Sequence, residues 1–111
     1  MQAQIIDLNL GAKLVGKDTV FAKDMITTLV EGFPSELKKL ETAYAKQDWA
    51  TIKDVVHRVK GGVSYCGAPR LQKISATLLD YLHSAKTDDR EKLYQDFLSE
   101  IHAVEDAYKS L

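Results

Sequence analysis

A histidine, a lysine and a glycine lie within five residues of one another, as His57, Lys60 and Gly61. On a helix, the lysine and the glycine lie one turn after the histidine and beside it on the surface. An ammonium there favours the neutral, nucleophilic imidazole and offsets the charge of a phosphoryl group attached to it. A glycine has no side chain, so it leaves the imidazole edge open. These residue types therefore suit a histidine that accepts a phosphoryl group.

The glycine pair Gly61-Gly62 favours a function for this histidine, because most surface histidines on helices have none. Each glycine in a helix interior costs about 1 kcal/mol relative to alanine. The apolar positions of the helix continue to Val63, beyond both glycines. Two structural alternatives stay open: the pair ends the helix, or Gly62 permits close packing of a neighbouring helix.

Apolar residues recur every three or four positions through most of the chain, which predicts amphipathic helices and no strand. We expect a short first helix over residues 5–14. Asp18 is the expected cap of a second helix. The segment 32–34, Gly-Phe-Pro, is expected to interrupt that helix, so that the chain either kinks or restarts there.

The third helix is expected to begin after Asp48 and to end near Tyr65, with Gly67 as terminator. Ala68-Pro69 opens the fourth helix, and Thr87 is the expected cap of the last. The predicted core positions of these three helices are Trp49, Ile52, Val56, Val59 and Val63; Leu71, Ile74, Leu78 and Leu82; and Leu93, Phe97, Ile101, Val104 and Tyr108.

Short connections between long helices make sequential helices antiparallel neighbours. The predicted fold class is therefore all-α: an antiparallel up-down four-helix bundle with a short additional N-terminal helix. A length of 111 residues predicts one domain over residues 1–111.

Composition restricts the function classes. The formal net charge of -1 gives no basis for nucleic-acid binding, and the single cysteine, Cys66, excludes an internal disulfide. No apolar run is long enough to span a membrane and no secretion signal begins the chain, so we expect no direct membrane contact and a cytoplasmic location. His83 and His102 lack the spacing of metal ligands, so we expect no metal.

His57 is one position away from Val56 and therefore leaves the core for a flank of the third helix, on one line with Lys53 and Ser64. A partner that reaches it needs an apolar patch ringed by polar groups. The candidates for that partner-binding surface are Leu14, Phe21, Met25, Ile26, Arg58 and Ser64. Ordinary core packing is the alternative for each of the four apolar residues.

The pattern His57-x-x-Lys60-Gly61, followed by Gly67 and by an apolar residue at Leu71, resembles the motif of histidine-containing phosphotransfer (HPt) domains. The run 65–71 is similar to the C-terminal HPt domains of BarA-like hybrid sensor kinases. The resemblance implies a four-helix bundle in which His57 is the exposed phosphoacceptor on the third helix. It further implies that Lys60 neighbours the phosphate and that Gly61 provides clearance.

The resemblance also implies no intrinsic kinase activity and no cofactor, since the partner receiver domain supplies the aspartyl phosphate and the Mg²⁺. We expect a phosphorelay carrier that accepts the phosphoryl group on His57 from a receiver aspartate and passes it to another receiver. The chain is either free or joined to the remainder of a hybrid sensor kinase. No polar helper is assigned on the fourth helix, where Leu78, Leu79 and Tyr81 occupy the corresponding stretch.

Two other functions are weighed against the carrier. The first is a helical adaptor module whose histidine is never phosphorylated. The second is the dimerisation domain of a histidine kinase, which is disfavoured because no acidic residue follows His57 directly and no ATP-binding segment is present.

Overall fold

Five α-helices make up the structure of the protein, a computed structural model that describes residues 4–111. Residues 1–3 of the predicted domain lie outside the described residues. No strand occurs within residues 4–111, so the predicted all-α class is confirmed. The helices are α1 (Leu8–Val15), α2 (Thr19–Ala45), α3 (Trp49–Val63), α4 (Pro69–His83) and α5 (Arg90–Tyr108).

The four long helices pack in a closed ring. Helix α2 packs against α3, α3 against α4, α4 against α5, and α5 returns to α2, while α1 packs on α2. Neighbours run antiparallel: Glu36 of α2 pairs with Arg58 of α3, and Thr27 bonds Tyr108 at the end of α5. The structure therefore confirms the predicted bundle with its additional N-terminal helix.

Aspartate caps fix the starts of the first three helices. Asp18 and Asp48 accept backbone N–H groups three residues later, at 2.9 and 3.1 Å, as predicted. The predicted start of the first helix at Ile5 is wrong by three residues. Asp7 accepts the N–H of Leu10 at 3.0 Å, so α1 begins after it and residues 4–7 are non-helical.

The start of α5 also differs from the prediction. Thr87 does not cap the helix, which begins at Arg90 with Asp89 at the cap position and no side-chain cap bond. The hydroxyl of Tyr81, on α4, accepts the backbone N–H of Asp89 at 2.8 Å. This contact from a neighbouring helix holds the chain in a turn through Asp89, so the helix starts later than the local sequence indicates.

Helix α2 runs through Pro34 without a break, so the predicted interruption at 32–34 is wrong. Proline removes one backbone hydrogen bond and costs about 3 kcal/mol in a helix interior. Pro34 lies on the exposed side, whereas Phe33 and Leu40 of the same helix are fully buried. Burying a large apolar side chain contributes about 1.5–3 kcal/mol, so these two residues offset the proline.

The core stripe predicted for α3 is confirmed at Ile52, Val56, Val59 and Val63, whereas Trp49 is half-buried. Most of the predicted core of α4 and α5 is also fully buried: Leu71, Leu78, Phe97, Ile101 and Val104. The other predicted positions pack at the edge of the core and are partly buried: Ile74, Leu82, Leu93 and Tyr108. Val55, Ser75, Leu79 and Tyr94 are buried without having been predicted.

Gly67 joins the end of α3 to α1. Its φ of +69° lies in the left-handed region, and its carbonyl accepts the N–H of Asp7 at 2.7 Å. A Cβ added at Gly67 would lie 2.3 Å from the Asp7 carbonyl oxygen. Glycine is therefore required here both by conformation and by space, which confirms it as the terminator of this helical segment.

Candidate functional site

The side chain of His57 lies on the outer face of α3 and is exposed. Its neighbours Val55, Val56 and Val59 are buried, and each helical step turns the side chain by 100°, so the core stripe directs the imidazole outward. Within residues 4–111, His57 makes no side-chain hydrogen bond or ion pair. The ring nitrogens therefore have no partner within the described residues.

Lys60 lies one turn after His57 and is half-buried. Side chains on a helix lean toward its N-terminus, so the stem of Lys60 leans toward His57. Among the described residues, no carboxylate lies within 4 Å of its ammonium. The Lys60 charge is therefore not neutralised by an ion pair and is available to a group held at the histidine.

The hydroxyl of Ser64 donates to the Lys60 carbonyl at 2.7 Å, and the Ser64 N–H bonds the same oxygen at 3.1 Å. Ser64 thus completes the last turn of α3 and is half-buried. Its predicted contact with a partner stays a prediction.

The two glycines after the histidine have different surroundings. Helix α3 continues through both to Val63, so the alternative in which the pair ends the helix is wrong. A Cβ added at Gly61 would meet no atom within 4 Å, whereas one at Gly62 would lie 3.4 Å from Cδ1 of Leu29 on α2. Gly61 therefore opens the surface beside His57, and Gly62 faces the neighbouring helix.

A groove of about 390 Å³ runs between α2 and α3 beside this surface. Its walls are mainly apolar, with an ion pair at one end where Arg58 contacts Glu36 at 3.2 Å. The lining residues are Met25, Thr28, Leu29, Gly32, Phe33, Glu36, Arg58, Val59, Gly62 and Cys66. Of the predicted partner-binding residues, Met25 and Arg58 therefore lie in one groove.

Leu14 and Phe21 are 46% and 42% exposed, at the end of α1 and the start of α2. Both side chains are accessible to a partner, and their predicted contact with one stays a prediction. The prediction for Ile26 is wrong, because Ile26 is fully buried and packs in the core cluster. One helical step from Met25 turns this side chain from the groove into the bundle.

Cys66 forms part of the groove wall and is 3% exposed. Its Sγ lies 3.0 Å from the Gly62 carbonyl oxygen, to which the thiol donates. Burial raises the pKa of the Cys66 thiol, so the unreactive protonated form is favoured. This environment is that of a cysteine with a packing role.

Sequence reasoning missed the α2 wall of the groove, in particular Leu29, Gly32 and Glu36. With Met25, these residues follow a spacing of four, three and four, which places them on one face of a continuous helix. The expected break at 32–34 concealed that stripe, since it divided the four residues between two elements.

Two further classes of site are absent from the part of the chain that the structure describes. No three histidine, cysteine, aspartate or glutamate side chains group there as metal ligands. No helix in this part is long and apolar enough to cross a membrane.

Comparison with known proteins gives a consistent set of relatives. The family model described as Hpt domain matches residues 24–107. The chain is 26% identical over 100 residues to the signal transduction histidine-protein kinase BarA of Shigella flexneri, covering 89% of this chain and 11% of that protein. Its identity to BarA of Escherichia coli (strain K12) is 25% over 100 residues, with the same coverage.

The sensor histidine kinase GacS of Pseudomonas protegens is 28% identical over 72 residues, which cover 65% of this chain and 8% of that protein. The chain thus spans between 8% and 11% of the length of these three relatives. No solved structure matches it.

Proposed function

Because the chain belongs to the Hpt domain family, we propose that it is a phosphorelay carrier in two-component signalling, with His57 as the phosphoacceptor. The observation that supports this proposal best is the site itself. An exposed imidazole without an internal partner lies beside an unpaired ammonium, a bare glycine and an apolar groove. A histidine with a structural role would have a hydrogen-bond partner or be packed in the core.

In the proposed reaction, a lone pair on an imidazole nitrogen of His57 attacks the phosphorus of a receiver aspartyl phosphate. The N–P bond forms as the P–O bond breaks, and the aspartate carboxylate leaves with the bonding electron pair. The proton on the other ring nitrogen exchanges with water, because the ring is exposed. Attack by the carboxylate of a second receiver reverses these steps and passes the group on.

The contribution of this chain is positional and electrostatic, as phosphoryl transfer requires. The Lys60 ammonium offsets negative charge on the phosphoryl oxygens, and Gly61 leaves room for the incoming aspartyl phosphate. We expect the receiver to bind Mg²⁺, and we expect the chain itself to have no cofactor and no kinase activity.

The proposed partners are response-regulator receiver domains, which dock over the groove between α2 and α3. Basic side chains of α3 lie near the histidine at Lys53 and Lys60, and they complement the acidic pocket that presents a phosphorylated aspartate. Arg58 pairs with Glu36 and contributes a polar edge to the groove. The apolar groove supplies the contact area, and we expect the exposed side chains of Leu14 and Phe21 to add to it.

The relatives named as sensor kinases are far longer than this chain. We propose that the chain acts either with the remainder of a hybrid sensor kinase in the same polypeptide or as a separate carrier. In both cases we expect the phosphoryl exchange to take place in the cytoplasm.

A labelling experiment separates the carrier from an adaptor that is never phosphorylated. The chain is incubated with a phosphorylated receiver domain, and the label on the chain is tested for stability. We expect label that is lost in acid and kept in base, absent from His57→Gln and present in the control His83→Gln. His83 is also exposed but lies on α4. Absence of label with several receivers, or equal label in both variants, would refute the carrier.

A further inference from the structure

Tyr65 differs from the other tyrosines of this chain. The chain has five, and the hydroxyls of four make hydrogen bonds inside the protein: Tyr44 to Glu91, Tyr81 to Asp89, Tyr94 to Leu40 and Tyr108 to Thr27. The Tyr65 hydroxyl has no hydrogen-bond partner within residues 4–111, and the residue is 56% exposed. A large amphipathic side chain is therefore presented to solvent without an internal role.

The position of Tyr65 relates it to the phosphoacceptor. It lies eight residues after His57, which is about 12 Å along the helix axis. The chain keeps a helical path beyond the end of α3, since the Ser64 N–H bonds the Lys60 carbonyl and the Cys66 N–H bonds the Val63 carbonyl. Side chains in such a turn lean back toward the preceding turn, which here is the bare surface of Gly61.

The neighbours of Tyr65 connect it to the groove. Cys66, the next residue, forms part of the groove wall, and its Sγ lies 3.8 Å from the Met25 carbonyl oxygen. At about 100° per residue, the helical path places Tyr65 between Gly61 and the groove residue Arg58 around the helix. This position is at the rim of a surface that runs from the histidine across Gly61 to the apolar residues of α2. Interface contacts of high energy are enriched in tyrosine beside apolar pockets.

We infer that Tyr65 is a specificity-determining contact for the receiver domain, a second anchor on the far side of Gly61 from His57. This inference rests on the proposed function. Tyr65 lies about 12 Å from His57 along the axis of α3, which is about one helix diameter. A receiver that docks along this face of α3 with its aspartate at His57 therefore also covers Tyr65. Tyr65 contacts the receiver there, outside its phosphorylation pocket, and so selects among receivers without taking part in the chemistry.

The test measures two reactions of the same variants. Phosphoramidate, a small phosphoryl donor, labels the histidine without any docking, whereas transfer to a purified receiver domain requires docking. We expect Tyr65→Ala to leave phosphoramidate labelling within twofold of the parent chain. We expect it to raise the receiver concentration that gives half-maximal transfer at least tenfold, with the maximal rate little changed.

Two further variants control this result. Tyr65→Phe keeps the ring, so we expect most of the docking to remain. Leu111→Ala removes an apolar side chain that is 45% exposed, which is similar to Tyr65. Leu111 follows α5, and α5 does not pack against α3. We expect Leu111→Ala to transfer like the parent chain. Circular dichroism and thermal unfolding of Tyr65→Ala check that the fold is retained, as an exposed position predicts.

The outcomes separate this inference from the function on which it rests. If the parent chain accepts no phosphate at His57 from either donor, the proposed function fails. If the parent chain transfers and Tyr65→Ala shows the same half-saturating concentration for several receivers, only the inference fails. It also fails if Tyr65→Ala converts a dimer to a monomer with transfer unchanged, since the residue then contacts a second copy.

Discussion

Replacement of Gly61 by alanine should make the protein more stable while it slows phosphotransfer. The residue lies inside α3, and an added Cβ meets no atom within 4 Å, so no clash opposes the change. Alanine exceeds glycine in helix propensity by about 1 kcal/mol, and because Gly61 lies two residues from the helix end we expect about 0.5–1 kcal/mol. At an unfolding entropy of about 2 cal/mol/K per residue, this gain raises Tm by roughly 2–4 °C.

The loss of transfer follows from the direction of the new side chain. A side chain at position 61 leans toward the preceding turn and so toward His57. The methyl group of Gly61→Ala narrows the approach, and the larger side chain of Gly61→Leu closes it. Because a displacement of about 1 Å in the reacting groups can slow a reaction roughly 100-fold, we expect Gly61→Leu to transfer at least tenfold more slowly.

Thermal unfolding and receiver transfer are measured on the same samples, with Gly62→Ala as the matched control. Gly62 has the same helical environment, but its Cβ would face Leu29 and not the histidine. We expect Gly62→Ala to retain the parental transfer rate at saturating receiver. Lower stability of Gly61→Ala, or parental transfer by Gly61→Leu, would refute the assignment of Gly61 as the residue that provides clearance.

Three other perturbations test the scaffold. Gly67→Ala should lower the free energy of unfolding by about 2–3 kcal/mol, because alanine would have to adopt a positive φ and its Cβ would press against the Asp7 carbonyl. An unchanged midpoint of urea unfolding would contradict this. The Cys66 thiol is buried and its pKa is raised, so it should react with iodoacetamide at pH 8 at least tenfold more slowly in the native protein than in urea. Equal rates would show that the thiol is accessible in the native protein. Hydrogen bonds from the Thr51 hydroxyl and N–H lower the pKa of Asp48. The ionised carboxylate therefore stabilises the fold at pH values above the unfolded-state pKa. This contribution is lost as the pH falls through the lower pKa of the folded state. Asp48→Asn should therefore show a smaller loss of stability between pH 7 and pH 3, measured by urea midpoints, and an identical loss would contradict the assignment.

The arrangement of the proposed phosphoacceptor site could be predicted because its residues are neighbours in sequence. His57, Lys60 and Gly61 share one helix, so the helical period alone determines their arrangement. The core stripe of α3 gave the orientation of the histidine for the same reason.

What could not be predicted depends on contacts between distant segments. The break expected at Pro34 follows a correct local rule, but the burial of Phe33 against the other helices outweighs it. The expected Thr87 cap fails because a hydroxyl from α4 holds the chain before α5. The groove was missed because only a continuous α2 brings Met25 and Glu36 onto one wall.

The single accessible side of α3 has a kinetic consequence. Within residues 4–111, the buried stripe of α3 and the helices packed on it leave His57 exposed on the outer face of α3. In the proposed function, we expect a donor receiver and an acceptor receiver to occupy that surface in turn, because each covers it while it is bound. The two receivers then compete for the chain, and we expect an excess of unphosphorylated donor to slow delivery to the acceptor.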